Sequence, residues 1–136
     1  MIRNLTRLKL PRICWRKIKN KILSRRFDLS LVFVGDRKMS SLNYKYTSRN
    51  KPTNVLAFPL DKYSGEIFID LPLAYREADE FGKTRRAHLF FLYIHAILHL
   101  KGFKHDNIRQ LKIMNRAEHK WLKTFFPYQK GESSPE

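Results

Sequence analysis

The chain has 136 residues, of which 28 are Lys or Arg and 12 are Asp or Glu, so its formal net charge at pH 7 is +16. Its single cysteine excludes an intramolecular disulfide, and no segment reaches the roughly 20 apolar residues that a membrane-spanning helix needs. The excess of positive charge favours a polyanionic partner, and we expect a cytoplasmic protein that does not associate with membranes.

The length is typical of one domain, and hydrophobic residues make up 43% of the chain, which is enough for one core. We predict a single domain over residues 1–126. The remaining segment, 127–136, ends in GESSPE and predicts a disordered tail because it offers little apolar surface to bury.

The first part of the chain alternates between strand and helix patterns. Residues 2–10 predict a first strand, and the apolar stripe over 12–26 predicts a helix. The β-branched run over 29–34, LSLVFV, predicts a second strand, after which Asp36 can cap a short helix. The segment TSRNKPTN, 47–54, is polar and predicts a loop.

Two short strands and a helix are predicted next. The strands are VLAFPL, 55–60, and EIFID, 66–70, and Pro59 suits the edge of a sheet because it has no N–H to donate. Pro72 is a good first-turn residue for a helix, which Gly82 would close.

The helix predicted over 85–101 is apolar nearly all round, which indicates a buried position at the middle of the fold. Asp106 can cap a last, amphipathic helix. Strands and helices in this order predict an α+β domain, with a small mixed sheet packed against about five helices.

The sequence HAILHLKGFKH, residues 95–105, carries three histidines. His95 and His99 are four residues apart, so they lie on one face of the central helix, one turn apart. Gly102 can end that helix in a left-handed conformation, and the chain can then return His105 to the same point. Three imidazoles predict one zinc ion, and a fourth, open coordination position is typical of a catalytic site.

Two further histidines are expected outside this group. His88 lies two turns before His95 on the same face, so we expect it at the surface or behind the metal site. His119 lies among charged residues of the last helix and is expected to be exposed. A single histidine on an apolar helix is usually a core residue, but this spacing with an intervening glycine is rare by chance.

The spacing H-x-x-x-H-x-x-G-x-x-H coincides with that of zinc proteases. Those proteases need a glutamate directly after the first histidine as the general base, and here that residue is Ala96. A methyl group cannot accept a proton, so peptide hydrolysis by that route is disfavoured.

The histidine segment, LNYKYTSRNKPTNVLAFP (42–59) and GEIFI (65–69), in their order along the chain, resemble the YbeY family of single-strand-specific endoribonucleases. The resemblance covers roughly residues 28–122. It implies an α+β fold, one zinc ion on the three histidines, and a role in maturing the 3′ end of 16S ribosomal RNA and in ribosome quality control. The small ribosomal subunit and ribosomal RNA or its precursor are the implied partners.

The chain departs from the family at two positions. Lys104 stands where the family commonly has an aspartate, and Thr47 stands where the family has a functional arginine. Arg49, two residues later, is the candidate to replace that arginine in catalysis. Glu66 and Asp106 are the candidate proton-transfer groups. The candidate phosphate contacts are Arg49, Lys51, Arg85, Arg86, Lys101 and Lys104.

The sequence thus predicts a zinc-dependent endoribonuclease acting on ribosomal RNA precursors. A different class is also possible on the same residues, namely a non-catalytic, zinc-containing module that binds RNA or the ribosome. A metalloprotease is a third alternative, disfavoured by Ala96.

Overall fold

The computed structural model describes residues 1–47 and 53–125. The elements in these residues are β1 (Ile2–Asn4), α1 (Trp15–Ile22), β2 (Asp28–Val34), α2 (Asp36–Thr47), β3 (Val55–Asp61), β4 (Ser64–Asp70), α3 (Leu71–Glu80), α4 (Arg85–Lys101) and α5 (Ile108–Phe125). The predicted α+β class, with a mixed sheet and five helices, is confirmed. The tail predicted over 127–136 lies outside the described residues, and the domain limits of 1–126 stay a prediction.

The four strands form one sheet in the order β1-β2-β4-β3. The first three are parallel to one another, and β3 runs antiparallel to β4. As the sequence predicts, the strand that contains Pro59 lies at an edge of the sheet. There the missing N–H of proline does not remove a hydrogen bond between two inner strands. Its pairing with β4 shifts register between Pro59 and Asp61.

Side chains of β2 alternate between the two faces of the sheet. Leu29, Leu31 and Phe33 belong to the main core, together with buried residues of α1, α3, α4 and α5. Val32 and Val34 point to the other face, where they meet Met39 of α2. This period of two is what a strand buried on both faces requires.

The helix α4 crosses the middle of the main core, where it contacts α1, α3, α5, β3 and β4. The side chain of Thr84 caps its first turn by accepting a hydrogen bond from the N–H of Ala87 at 3.1 Å. Burial of most of its length fixes the position of its C-terminal turn, which carries two of the three histidines.

Two predicted elements are shorter than expected. The strand predicted over 2–10 ends at Asn4, because the Asn4 side chain accepts from the N–H of Thr6 at 3.0 Å and turns the chain. The helix predicted over 12–26 covers Trp15–Ile22.

The early end of α1 has a visible cause. The ammonium group of Lys19 donates to three carbonyls just beyond the helix, at 3.3, 3.4 and 2.8 Å. These carbonyls are turned towards that ammonium group, a conformation that a continuing helix would not permit. They belong to Ser24, Arg25 and Phe27.

The caps of α3 and α5 are side chains that accept from the first turn, and the predicted cap of α5 needs a correction. Asp70 caps α3 by accepting from the N–H of Leu73 at 3.1 Å. The cap of α5 is Asn107, which accepts from the N–H of Gln110 at 2.8 Å, and not Asp106 as predicted. Among the described residues, no helix is long and apolar enough to cross a membrane.

Candidate metal centre and cleft

The end of α4 turns the chain back on itself at Gly102. This glycine has φ +110°, a left-handed conformation that a side chain would strain. The N–H of Gly102 donates to the carbonyl of His99, and the N–H of Phe103 donates to that of Leu98, both at 3.0 Å. The reversal brings His105 to the last turn of α4, as the sequence predicts.

The three histidines form one cluster. A nitrogen of each ring lies within 4.8 Å of a nitrogen of each of the others. The Nε2 atoms of His95 and His99 are 3.2 Å apart. The ring centroid of His105 lies 5.8 Å from the ring centroid of His95 and 4.8 Å from that of His99. His95 and His99 are half-buried, whereas His105 is exposed.

This donor set fits a zinc ion. Two ligand nitrogens at about 2.0–2.1 Å from a tetrahedral ion lie roughly 3.3 Å apart, close to the separation of the two Nε2 atoms on α4. Imidazole nitrogens suit zinc and other late transition metals, while magnesium and calcium prefer oxygen. His95, His99 and His105 could therefore hold one such ion.

Glu118, on α5, orients the first histidine. Its Oε2 atom lies 2.8 Å from Nδ1 of His95, and the Glu118 side chain is only 7% exposed. A carboxylate in this position accepts a hydrogen bond from Nδ1–H, so the proton stays on Nδ1 and the lone pair of Nε2 faces the cluster. The sequence reasoning missed this residue, although a glutamate four residues after Met114 and four before Leu122 lies on the apolar stripe of α5.

The pKa of His99 is lowered, first by burial and then by the neighbouring His95 and His105 rings. The neutral imidazole is the form that can donate an electron pair to a metal. The environment of His99 therefore favours the protonation state that ligation needs.

A cleft of about 550 Å³ opens at the cluster. Residues 53–57, from the start of the edge strand β3, form one wall, and the end of α4 with the following turn forms the other. The lining residues are Thr53, Asn54, Val55, Leu56, Ala57, His95, Ala96, His99, Gly102, Phe103, Lys104 and His105. The space between β3 and the histidines is open to a substrate.

Of the predicted phosphate contacts that the structure describes, only Lys104 lines this cleft. Arg85 and Arg86 begin α4, about 14–15 Å along the helix from His95, since each residue adds about 1.5 Å. Arg85 pairs with Asp79 at 2.9 Å, and Arg86 donates to the carbonyl of Arg12 at 3.1 Å.

Two lysines lie between His99 and His105 in the sequence. Lys101 donates to the carbonyl of Ile22 at 3.0 Å, whereas Lys104 lines the cleft. Arg49, the candidate catalytic residue, and Lys51 lie outside the described residues.

None of the described residues that line the cleft is a carboxylic acid, so neither Glu66 nor Asp106 is placed there. Ala96 lines the cleft and is fully buried, so the position of the protease glutamate holds only a methyl group. Thr47, at the family's arginine position, donates instead to the carbonyl of Asn43 at 2.7 Å, at the end of α2.

The two other histidines are outside the cluster, as predicted. His119 is exposed. His88 is buried at 4% exposure, and its Nε2 atom lies 3.0 Å from Oε1 of Glu77. A surface position for His88 is therefore wrong, because α3 covers this face of α4.

The fold and the site together define an α+β protein with a three-histidine candidate metal centre beside an edge strand. The sequence model of the family described as "Endoribonuclease YbeY" matches residues 7–126. The chain belongs to this family, as the resemblance in its motifs predicts.

Individual relatives agree with this assignment. A protein of Ehrlichia chaffeensis named "Endoribonuclease YbeY" is 35% identical over 99 residues, which cover 69% of this chain and 64% of the relative. One of Sulfurihydrogenibium sp. with the same name is 35% identical over 111 residues, which cover 73% of each. The chain thus spans less than two thirds of the first relative's length.

A solved structure is also similar. The solution structure of TM1509 from Thermotoga maritima superposes with a TM-score of 0.67 at 25% sequence identity. The match covers 98% of this chain and 100% of that one.

Proposed function

We propose that this chain is a metal-dependent endoribonuclease that cleaves single-stranded RNA and carries one zinc ion on His95, His99 and His105. The observation that supports it best is the convergence of these three rings in an open cleft, on a chain of the YbeY family. The curated relatives reported above are named endoribonucleases.

In this proposal each element has one task. The helix α4 and the turn at Gly102 hold the three imidazoles, and Glu118 keeps the Nδ1 proton of His95 on the side away from the cleft. Lys104 is placed to neutralise a phosphate of the RNA backbone. A bound zinc ion would supply Lewis acidity towards a phosphate or a water molecule.

We propose ribosomal RNA precursors as the substrate, with the 3′ end of 16S RNA and the small ribosomal subunit as the place of action in the cytoplasm. A formal net charge of +16 supports a large polyanionic partner. Arg49 stays the proposed catalytic arginine, since a guanidinium group can make two hydrogen bonds to one phosphate.

Metal content tests the first part of the proposal. The purified protein should contain one zinc ion per chain, and His99→Ala should lose it, because two remaining ligands hold zinc poorly. His119→Ala is the matched control, since His119 is exposed on α5 and should leave the zinc content unchanged. A His95→Ala/His99→Ala protein with stoichiometric zinc would refute the site.

RNA cleavage tests the second part. Zinc-loaded protein, free of contaminating nucleases, should cut single-stranded ribosomal RNA fragments and leave duplexes intact. His105→Ala should abolish cutting but leave RNA affinity nearly unchanged, because affinity depends mainly on cations spread over the surface. Equal cutting by this variant would assign the activity to a contaminant. An inactive wild-type protein that still binds RNA would favour the non-catalytic binding module.

A further inference from the structure

The wall of the cleft opposite the histidines contains a polar side chain with no assigned role. Asn54 lies directly before β3, within the segment NVLAFP, and is half-buried at the cleft. Its backbone is fixed, because its carbonyl accepts from the N–H of Asp70 at 3.0 Å.

The side chain of Asn54 is fixed as well. Its Nδ2 atom donates towards the two carboxylate oxygens of Glu77, at 3.3 Å and 3.5 Å. An ionised carboxylate only accepts hydrogen bonds, so the amide nitrogen must face Glu77 and the amide oxygen must point the other way. The orientation of this amide therefore follows from its partner.

Glu77 is itself held from behind by His88. The Nε2 atom of His88 lies 3.0 Å from Oε1 of Glu77 and must carry a proton, since the carboxylate has none to give. The His88 ring is enclosed by Phe81 and Phe91, with centroids at 6.0 Å and 6.4 Å. Its Nδ1 atom is buried without a hydrogen-bond partner among the described residues, a costly arrangement for a side chain that only fills space.

The chain of contacts thus runs from His88, in the interior, through Glu77 to Asn54 at the cleft. In the part of the protein that the structure describes, no group donates to Oδ1 of Asn54. This oxygen is also not one of the buried polar atoms that lack a hydrogen-bond partner. An accessible acceptor of fixed direction is left at the wall of the cleft.

We propose that Asn54 positions the substrate by accepting a hydrogen bond through Oδ1, and that Glu77 and His88 are positioning residues that set the direction of its amide. This inference rests on the proposed function in that the substrate is single-stranded RNA. A neutral amide oxygen accepts from an O–H or N–H group and not from a phosphate, which carries no proton on its oxygens. The contact is therefore to a ribose 2′-hydroxyl or to an amino or imino group of a base.

Affinity is measured first, because it decides the inference even if cleavage fails. The probe is a fluorescein-labelled, single-stranded RNA of eight nucleotides, and the protein carries His105→Ala so that the probe stays intact. Asn54→Ala in this background should weaken Kd about fivefold, which corresponds to the usual net contribution of one hydrogen bond. An unchanged Kd overturns the inference.

Chemically altered probes identify the donor. The same RNA is made with a 2′-deoxy nucleotide at each position in turn, and with purine riboside in place of each adenosine to remove the amino group. If the effect of Asn54→Ala disappears on one 2′-deoxy probe, the donor is a hydroxyl group, and if it disappears on a purine riboside probe, the donor is a base. An equal loss on every probe, together with a lower Tm, shows a merely structural role and overturns the inference.

The positioning role is tested in the cleaving protein. Glu77→Ala should lower kcat/KM, and Glu77→Gln should restore most of it because the Gln oxygen still accepts from Nδ2 of Asn54. Glu77→Ala combined with Asn54→Ala should lose no more than Asn54→Ala alone, since both remove one contact. Losses that multiply refute this role. Glu80→Ala, an exposed glutamate of the same helix, is the matched control and should have no effect.

The two proposals fail in different ways. If wild-type protein cuts RNA, and Asn54→Ala cuts and binds RNA equally well, the endoribonuclease proposal stands and Asn54 has no role in substrate binding. Wild-type protein that does not cut RNA removes the proposed function, while the affinity series still decides whether Asn54 contacts a nucleotide.

Discussion

At the scale of single residues, the contact between Glu118 and His95 has a measurable consequence. Glu118→Gln keeps the shape and an accepting oxygen but removes the negative charge next to the His95 Nδ1 proton. Loss of such a partner behind a metal ligand usually lowers metal affinity by about 10–100-fold. Competition with a zinc-binding dye should show a weaker site, and Glu80→Gln, an exposed change on another helix, should not. Equal affinities in the two variants would contradict the orienting role.

A second residue, Asp70, makes stability depend on pH. Its Oδ2 atom is buried without a hydrogen-bond partner among the described residues. Burial, and then the neighbouring Asp36 carboxyl, raise the pKa of Asp70 from 3.8 to about 7. Between these values the folded state binds more protons than the unfolded state. The stabilising contribution is therefore complete below about pH 4 and is lost as the pH rises through about 7.

Asp70→Asn should remove this dependence, because an asparagine can cap α3 with its oxygen and cannot ionise. At pH 8 the variant should be more stable than wild type by on the order of 2 kcal/mol, since one pKa unit corresponds to about 1.4 kcal/mol. This value is smaller than the full shift of Asp70 would give, because Asp70 and Asp36 titrate as an interacting pair. At about pH 4 the two should be similar. Urea unfolding of metal-free protein at several pH values measures the difference. Parallel stability curves would contradict the shifted pKa of Asp70.

Some residues of the site could be predicted from the local sequence, and others are brought there only by tertiary packing. The histidines of α4 could be predicted because helical spacing places residues four apart on one face, and Gly102 because a chain reversal there needs a left-handed residue. Glu118 and Asn54 could not be placed, because only the packing of α5 and β3 against α4 brings Glu118 to His95 and Asn54 to the cleft. Arg85 and Arg86 are near the histidines in sequence only.

At the scale of secondary structure, we expect the turn after α4 to couple stability to the candidate metal site. A Cβ on Gly102 would meet no atom within 4 Å, so Gly102→Ala tests the strain of φ +110° alone. Such strain costs about 1–2 kcal/mol. We also expect a lower zinc affinity, because the turn directs His105 to the cluster. Urea unfolding and zinc competition measure the two effects.

Gly82 provides the matched control for that variant. Its φ is +68°, and a Cβ there also meets nothing within 4 Å, but it lies at the end of α3, away from the histidines. Gly82→Ala should therefore lose a similar amount of stability and keep the zinc affinity of wild type. If zinc affinity decreases equally in both variants, the decrease reflects general destabilisation and the turn at Gly102 has no specific role in metal binding.

Predictions of the elements are best where the pattern is long and regular. The helix α4 was predicted with the bounds that the structure gives, and β2 differs by one residue at its start. The ends of β1 and α1 could not be predicted, because the side chains of Asn4 and Lys19 bind backbone groups there and compete with the regular pattern. Periodicity contains no information about such contacts.

At the scale of the whole molecule, the order of strands lies beyond a local pattern. The parallel strands β2 and β4 are separated in sequence by α2 and β3, and the sequence of neither strand indicates which strand it pairs with. Only the edge position of β3 could be predicted, from Pro59. The mixed sheet was predicted as a class, and its topology required the structure.

The net charge of +16 predicts that RNA binding weakens steeply with salt. Each neutralised phosphate of a single strand adds about −0.7 to the slope of log K against log salt concentration. Lys104→Gln, at the cleft, should reduce the magnitude of this slope by about one phosphate contact, while Lys17→Gln, exposed on α1, should change it little. Titration of a labelled single strand from about 50 to 200 mM salt gives the slopes. A flat dependence would refute binding through the phosphates.

The edge strand β3 places an aggregation hazard next to the cleft. Its outer edge has no neighbouring strand in the described part of the sheet, and the unpaired N–H and C=O groups of such an edge can template pairing with a second copy. Covering the edge would prevent such pairing but would close one wall of the cleft. Pro59 and the register shift that follows it leave the first residues of β3 accessible while limiting the length of edge that another chain could match. Among the described residues, pairing along this edge is therefore limited by an irregularity in the strand and not by a neighbouring strand.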